Sequence, residues 1–300
     1  MALENGDTGM GSSLRAVIRL SAYIGLTFLC MPLQSLALAF GWRLCKTLPQ
    51  WYHTRCCRIM GFRVERRGRQ SRAHPTLYLA NHVSYFDIMI LSALIPGVSF
   101  VAKAEVEKWP LFGRLARLQR TVFIDRRGRA ARNHMGELRM RLEAGDNLVL
   151  FPEGTSSDGN RVLPFKSALL AAVEQPVEGQ ALSVQPVSIA YTRLDGLPMG
   201  RYLRPFFAWF GDMELAGHLW HAAGLGRATV VVEFHKPVTY SDFESRKDLG
   251  AHCQSAVAAG VADALSGRRR ERQSDWPSAL PGAAGTPLAA PMPGARVPLS

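Results

Sequence analysis

At 300 residues the chain is long enough for one large domain with appendages. Its formal net charge of +12 points to anionic partners, either nucleic acid or acidic lipid headgroups. The five cysteines (Cys30, Cys45, Cys56, Cys57 and Cys253) form no CxxC pair, and no Cys/His group has zinc-finger spacing. That argues against a structural metal and for a reducing compartment.

In chain order, residues 1–13 are polar and glycine-rich and are predicted to be disordered. Arg15 and Arg19 then lead into LSAYIGLTFLCMPLQSLALAFGW, Leu20 to Trp42, which carries no charge. Such a run is long enough to cross a hydrocarbon core, which takes about 20 apolar residues. Pro32 and Gln34 in its middle leave a kinked span or a shallow helical hairpin equally open. The predicted membrane-inserted segment is 14–48. Nine basic residues from Arg43 to Arg72 outnumber the two arginines upstream, so the positive-inside bias places everything after Trp42 on the cytoplasmic side. Residues 49–74, basic and carrying Trp51, Tyr52 and Phe62, are expected to lie at the lipid interface.

From Pro75 short strands and helices alternate. Strands are predicted at Thr76–Ala80, Val98–Ala102, Thr121–Ile124, Asn147–Phe151, Leu182–Ala190 and Ala228–Phe234. Helices are predicted at Asp87–Leu94, Trp109–Leu118, Arg129–Ala144 and Ser167–Glu174. This is the pattern of an α/β domain with a central sheet, here 75–265. Segment 266–300, proline-rich behind Arg268-Arg269-Arg270, is predicted to be a disordered tail.

Three clusters carry chemistry. In NHVSYFD, Asn81 to Asp87, the imidazole of His82 precedes the carboxylate of Asp87 by five residues. On one continuous helix those side chains would stand roughly 140° apart. They meet only if His82 lies in a strand-to-helix turn and Asp87 in the first helical turn. A carboxylate on one ring nitrogen fixes the tautomer and makes the other nitrogen a general base. In FPEGT, Phe151 to Thr155, Glu153 and Gly154 follow a strand end, where α/β sheets place ligand sites. In TVFIDRR, Asp125 and Arg126 close a third strand, and an arginine there suits an anionic group. Each cluster alone also fits an ordinary turn or a surface ion pair.

In this order and behind an apolar anchor, NHxxxxD, VFIDR and FPEGT resemble the lysophosphatidic acid acyltransferase family of glycerolipid acyltransferases. A fourth block, Val184-Gln185-Pro186-Val187, resembles that family's strand-and-proline motif. The resemblance implies an α/β acyltransferase fold flanked by helices. It also implies membrane attachment and transfer of a fatty acyl group from a CoA or acyl-carrier-protein thioester to a lyso-lipid hydroxyl. No cofactor or metal is implied. His82 would be the base, Asp87 its orienting partner, and Asn81 the residue that positions the turn. Glu153, Gly154 and Thr155 would hold the acceptor, with Arg126 and Lys103 (in VAKAEV) toward its polar groups.

One departure matters: FPEGT is followed by Ser156, where the family commonly has an arginine for the acceptor phosphate. Lys103 and Lys166 remain to compensate. The stretches SSDGNRVLPFKSALL and AEVEKWPLFGRLARLQRTVFIDR resemble the bacterial branch that acylates lyso-ornithine lipid, whose acceptor has no phosphate. Acylation of 1-acylglycerol-3-phosphate is the alternative acceptor reading. The expected location is the bacterial inner membrane. A hydrolase is disfavoured by the absence of a GxSxG elbow. A non-catalytic lipid-binding protein would leave the motifs unexplained, and no nucleic-acid reader motif is present.

Overall fold

A computed structural model of the chain describes residues 11–268 apart from 125–127, 175 and 178, and describes the backbone alone at 128–135. The predicted disordered ends therefore lie almost wholly outside the described residues.

Helix α1 (Ser13–Ala39) has 27 residues and starts at Ser12, whose side chain accepts from the Arg15 amide at 3.3 Å. At 1.5 Å per residue it is about 40 Å long. It continues through Pro32, so the chain does not divide into two helices at the proline. A hairpin does form, but its turn falls at 40–43 and its second arm is α2 (Leu44–Met60). Gly61, at φ +82°, ends α2, and a Cβ there would run into the Arg19 guanidinium. One face of α1 packs on the protein through Ala16, Thr27, Gln34 and Ala37. The other presents Leu14, Ile18, Phe28, Leu29 and Phe40, each between 59% and 72% exposed. A row of large apolar side chains this long belongs in lipid rather than water.

Strand β1 (Phe62–Gly68) corrects the sequence reading of 49–74 as an interfacial segment, because it is the edge strand of the sheet, pairing parallel to β8 (Ala228–Phe234). The sheet domain thus opens at Phe62, ahead of the predicted start at Pro75. Arginines at its exposed positions mask the strand pattern in sequence, and charge on an edge strand blocks pairing with another chain. The remaining strands are β2 (Thr76–Ala80), β3 (Ser99–Lys103), β4 (Val122–Ile124), β5 (Leu148–Leu150), β6 (Ser183–Leu194) and the short β7 (Leu197–Pro198). The order is β1-β8-β6-β2-β5-β3-β4, with β7 paired to β6. Strands β2, β3, β4, β5 and β6 run parallel, while β6 and β8 are antiparallel.

Helices cover both faces, as a parallel sheet requires. Successive residues of β2 divide the core. Tyr78 and Ala80 face α2, α3 (Phe86–Leu94) and α7 (Leu215–Gly224), whereas Leu77 and Leu79 face α6 (Gly128–Glu143), the 3-10 turn Ser167–Val173 and α8 (Arg246–Leu265). Of the predicted helix over Trp109–Leu118, Phe112–Leu118 forms α5, and a further short helix, α4 (Ala104–Glu107), precedes it.

Asp146, buried ahead of β5, ties several elements together. Its Oδ2 accepts from Arg120 at 2.5 Å and from Arg141 at 2.7 Å, and Lys46 of α2 lies 3.5 Å from Oδ1. Burial works to raise its pKa, but the hydrogen bonds and charges of Arg120 and Arg141 outweigh that and hold it below the usual aspartate value. The stability it contributes is therefore present above the ordinary aspartate pKa and lost as pH falls through the lowered one. Asp146→Ala leaves two part-buried guanidinium groups without their carboxylate and is expected to destabilise the fold by about 3 kcal/mol. Chemical denaturation in detergent should also show that variant losing less further stability in acid than the parent.

Candidate active site

Because β2, β5 and β3 are parallel neighbours, their C-terminal ends meet at one edge of the sheet. That edge carries Asn81 and His82 after β2, Phe151–Thr155 after β5, and Lys103 at the end of β3. Motifs about seventy residues apart in sequence are joined in this way.

Asp87 sits in the first turn of α3 and is fully buried. Its Oδ2 accepts from the amides of Val83 at 2.6 Å and Ser84 at 2.9 Å, and from His82 Nδ1 at 2.9 Å. Its Oδ1 accepts from the Tyr191 hydroxyl at 3.0 Å. An oxygen already taking two backbone N–H groups is an acceptor, so Nδ1 of His82 carries the proton and Nε2 presents a lone pair. The ring lies flat on Phe151, with centroids 4.1 Å apart and planes 17° from parallel. Its side chain keeps 22% exposure and borders a cavity. The predicted base and orienting acid are therefore in contact, in the turn-plus-first-helical-turn arrangement their spacing demanded.

The cavity, about 500 Å³, is mainly apolar. Tyr23, Thr27 and Met31 of α1, Tyr52 of α2, Met89 of α3 and Leu115 of α5 form part of its wall. Lys103, Gly154, Thr155 and Ser156 border it together with His82. The volume is that of a ligand site.

Other sequence-predicted residues are placed differently. Asn81 is buried, its Nδ2 donating to Ile189 O at 3.0 Å and its Oδ1 accepting from Ile189 N at 2.8 Å. Both ends of the amide are thus engaged by β6, and Asn81 positions the turn rather than touching substrate. Glu153 is also buried and does not line the cavity; its Oε1 accepts from the His82 amide at 3.4 Å. In this arrangement Glu153 meets the backbone of the histidine loop and is not on the cavity wall. Burial pushes its carboxyl up to about 8, with Asp87 adding to the rise. Lys166 is exposed and away from the cavity, while its amide donates to Pro152 O at 2.9 Å. Arg126 lies outside the described residues.

Several residues escaped the sequence reading. Tyr191 lies one position beyond the predicted strand Leu182–Ala190. Tyr85 borders the cavity, and its hydroxyl meets His218 Nδ1 at 2.9 Å. Burial pushes that imidazole down to about 4, so it is neutral at pH 7. Trp209 holds the histidine loop from outside: its amide donates to Val83 O at 3.0 Å, and its carbonyl accepts from the Ser156 hydroxyl. None of these long-range partners carries a local signal.

An oriented imidazole opening on an apolar cavity at the end of a parallel sheet is the site of an acyl-transfer enzyme. The chain belongs to the acyltransferase family, whose model matches residues 61–190. It is 42% identical over 265 residues to the lyso-ornithine lipid O-acyltransferase of Brucella abortus, covering 86% of this chain and 98% of that one. It is 38% identical to the protein of the same name from Rhizobium meliloti, covering 84% and 88%. The 1-acyl-sn-glycerol-3-phosphate acyltransferase of Neisseria gonorrhoeae is 33% identical, over 65% of this chain and 74% of that one. In fold, the chain matches the crystal structure of the 1-acyl-sn-glycerophosphate acyltransferase PlsC from Thermotoga maritima. The TM-score is 0.60 at 24% identity, covering 86% of this chain and 96% of that one. The protein is an acyltransferase, and its helix α1 is long and apolar enough to enter a membrane.

His82→Ala should lower the transfer rate by about a thousandfold with expression intact, measured as labelled acyl product formed by purified protein. Asp87→Asn presents an NH2 group to surrounding donors and should cut kcat by about a hundredfold or more with a lower melting temperature. Glu153 makes a separate prediction. Because its folded pKa, about 8, lies above the ordinary 4.5, folding takes up a proton between those values. Stability should then fall as pH rises across that window. Melting temperatures recorded against pH should show this fall in the parent and a flatter profile in Glu153→Gln.

Proposed function

We propose that the enzyme moves a fatty acyl group from an acyl thioester, of CoA or acyl carrier protein, to the hydroxyl of lyso-ornithine lipid. The observation that carries this reading is the His82–Asp87 pair opening on an apolar cavity of about 500 Å³. Nε2 of His82 takes the hydroxyl proton while Asp87 holds the ring through Nδ1. The oxygen forms a bond to the thioester carbonyl carbon, the carbon–sulfur bond breaks, and the thiolate leaves with the proton returned from His82. Hydrocarbon lies along the wall made by α1, α2, α3 and α5.

Two features support the acceptor. The similar proteins from Brucella abortus and Rhizobium meliloti carry that name. Ser156 also stands where a phosphate-binding arginine would, and its hydroxyl is turned to Trp209 O. Lys103, exposed at the cavity edge, is the cation for the acceptor's carboxylate. The membrane arrangement follows from contacts along α1. Arg19 binds the carbonyls of Ala223 at 3.1 Å and Leu225 at 2.8 Å, while Gln34 binds those of Cys45 and Leu118, each at 3.0 Å. Fastening to the catalytic domain at two levels supports a helix that dips into one leaflet, and the basic residues after Trp42 support the cytoplasmic face of the inner membrane.

Offered lyso-ornithine lipid and lysophosphatidic acid together, the protein should prefer the former by about tenfold, the margin of a missing charge-assisted phosphate clamp. Product analysis by mass spectrometry measures the ratio. Preference for the phosphorylated lipid would overturn the acceptor and leave the reaction class standing.

A further inference from the structure

Between α4 and α5 the chain reads Trp109-Pro110-Leu111-Phe112, and its geometry is unusual. Leu111 has φ +62° and ψ −52°, and the Phe112 amide donates to Pro110 O at 2.7 Å. Those are the marks of a γ-turn of the positive-φ kind, which is rare and strained. A residue with a Cβ is disfavoured there, and strain of this sort persists where surrounding structure enforces it and clusters at functional places. Here the enforcement is visible: a Cβ on Gly113 would collide with Glu107 O, so the turn is pressed against the end of α4. Arg117 adds a bond to the same carbonyl at 3.3 Å.

The strained leucine is not folded inward. It is 48% exposed, and Trp109 beside it is 39% exposed. Glycine at position 111 would relieve the backbone strain, yet a large apolar side chain stands there half exposed. α5 packs on α1, with Gln34 bonded to Leu118 O, so the turn stands next to the helix whose outer face is apolar. Residues 103–117 hold four basic side chains (Lys103, Lys108, Arg114 and Arg117) against two acidic ones (Glu105 and Glu107), all exposed. Aromatic and aliphatic tips ringed by lysine and arginine match an anionic lipid surface. Trp109 and Phe112 also border the cavity, while Leu111 does not. The Trp109 ring meets Trp209 edge-on, with centroids 5.9 Å apart.

We propose that the Trp109–Phe112 turn is a second bilayer-insertion element, distinct from α1. Leu111 enters the acyl region, and the mouth of the cavity beside Trp109 opens to lipid. This rests on membrane association but not on the identity of the acceptor or donor.

The test uses full-length protein on phosphatidylglycerol vesicles with no substrate, so it stands apart from any failure of the acyl-transfer reading. Chains brominated near their middle quench a tryptophan that reaches them. The fluorescence lost on Trp109→Phe is the Trp109 component, and it should be quenched by these lipids in the parent. Leu111→Gly should keep or raise the melting temperature in detergent, since glycine accepts φ +62°. It should nonetheless weaken vesicle binding about fivefold, as expected for withdrawing one leucine from lipid. Leu111→Asp should abolish the Trp109 quenching. Three results would overturn the proposal. These are an unquenched Trp109 component, a Leu111→Gly protein that binds vesicles as the parent does, and a melting temperature lowered by glycine, which would mean the side chain packs within the fold. Light scattering that finds a detergent-stable dimer made monomeric by Leu111→Gly would assign the turn to a second copy and overturn it as well.

Discussion

A single carboxylate organises the active edge. Asp87 receives two backbone amides, an imidazole N–H and a tyrosine hydroxyl, and is sealed from water while doing so. The two amides fold the turn back on the start of α3, the imidazole bond sets the base, and the tyrosine ties the group to β6. The same charge shapes the loop and fixes the proton on Nδ1, so the local fold and the chemistry stand or fall together. Phe151 stacked on the ring limits what remains of its freedom, and Asn81 ties the preceding residue to β6.

The sheet supplies the other constraint. Parallel pairing of β2 with β5 and of β5 with β3 brings the three strand ends to one side, and loops leaving that side converge whatever their distance along the chain. Helices α1 and α2 then roof the edge with apolar side chains. The cavity beside His82 therefore combines an apolar wall with polar lining residues, Lys103, Thr155 and Ser156. A lipid with a reacting hydroxyl near its headgroup has that division of character.

Much of this was legible in the residues. The strands from Thr76 onward are short apolar runs bounded by turn formers, and the His–Asp spacing fits only a turn followed by a helix start. What escaped has physical causes. β1 alternates, but arginines on its exposed face make it resemble a headgroup-binding segment. α2 contains a proline and several basic residues, so its membership of the hairpin depends on packing against α1 that no local pattern encodes. Glu153 sits in a motif that reads as a binding loop, yet its burial and its link to the His82 amide are tertiary facts. Tyr191 and Trp209 reach the site only because β6 and the 209–213 segment pass beside it.

Ser156 couples two loops at the active edge. Its hydroxyl is latched to the Trp209 carbonyl, and the Trp209 amide is latched in turn to Val83 within the catalytic loop. A larger cationic residue at this position would have to unfasten that latch before it reached any headgroup, loosening the loop that carries the base. The two loops therefore move as one unit, and a substitution at Ser156 is felt at Val83 through the Trp209 peptide groups.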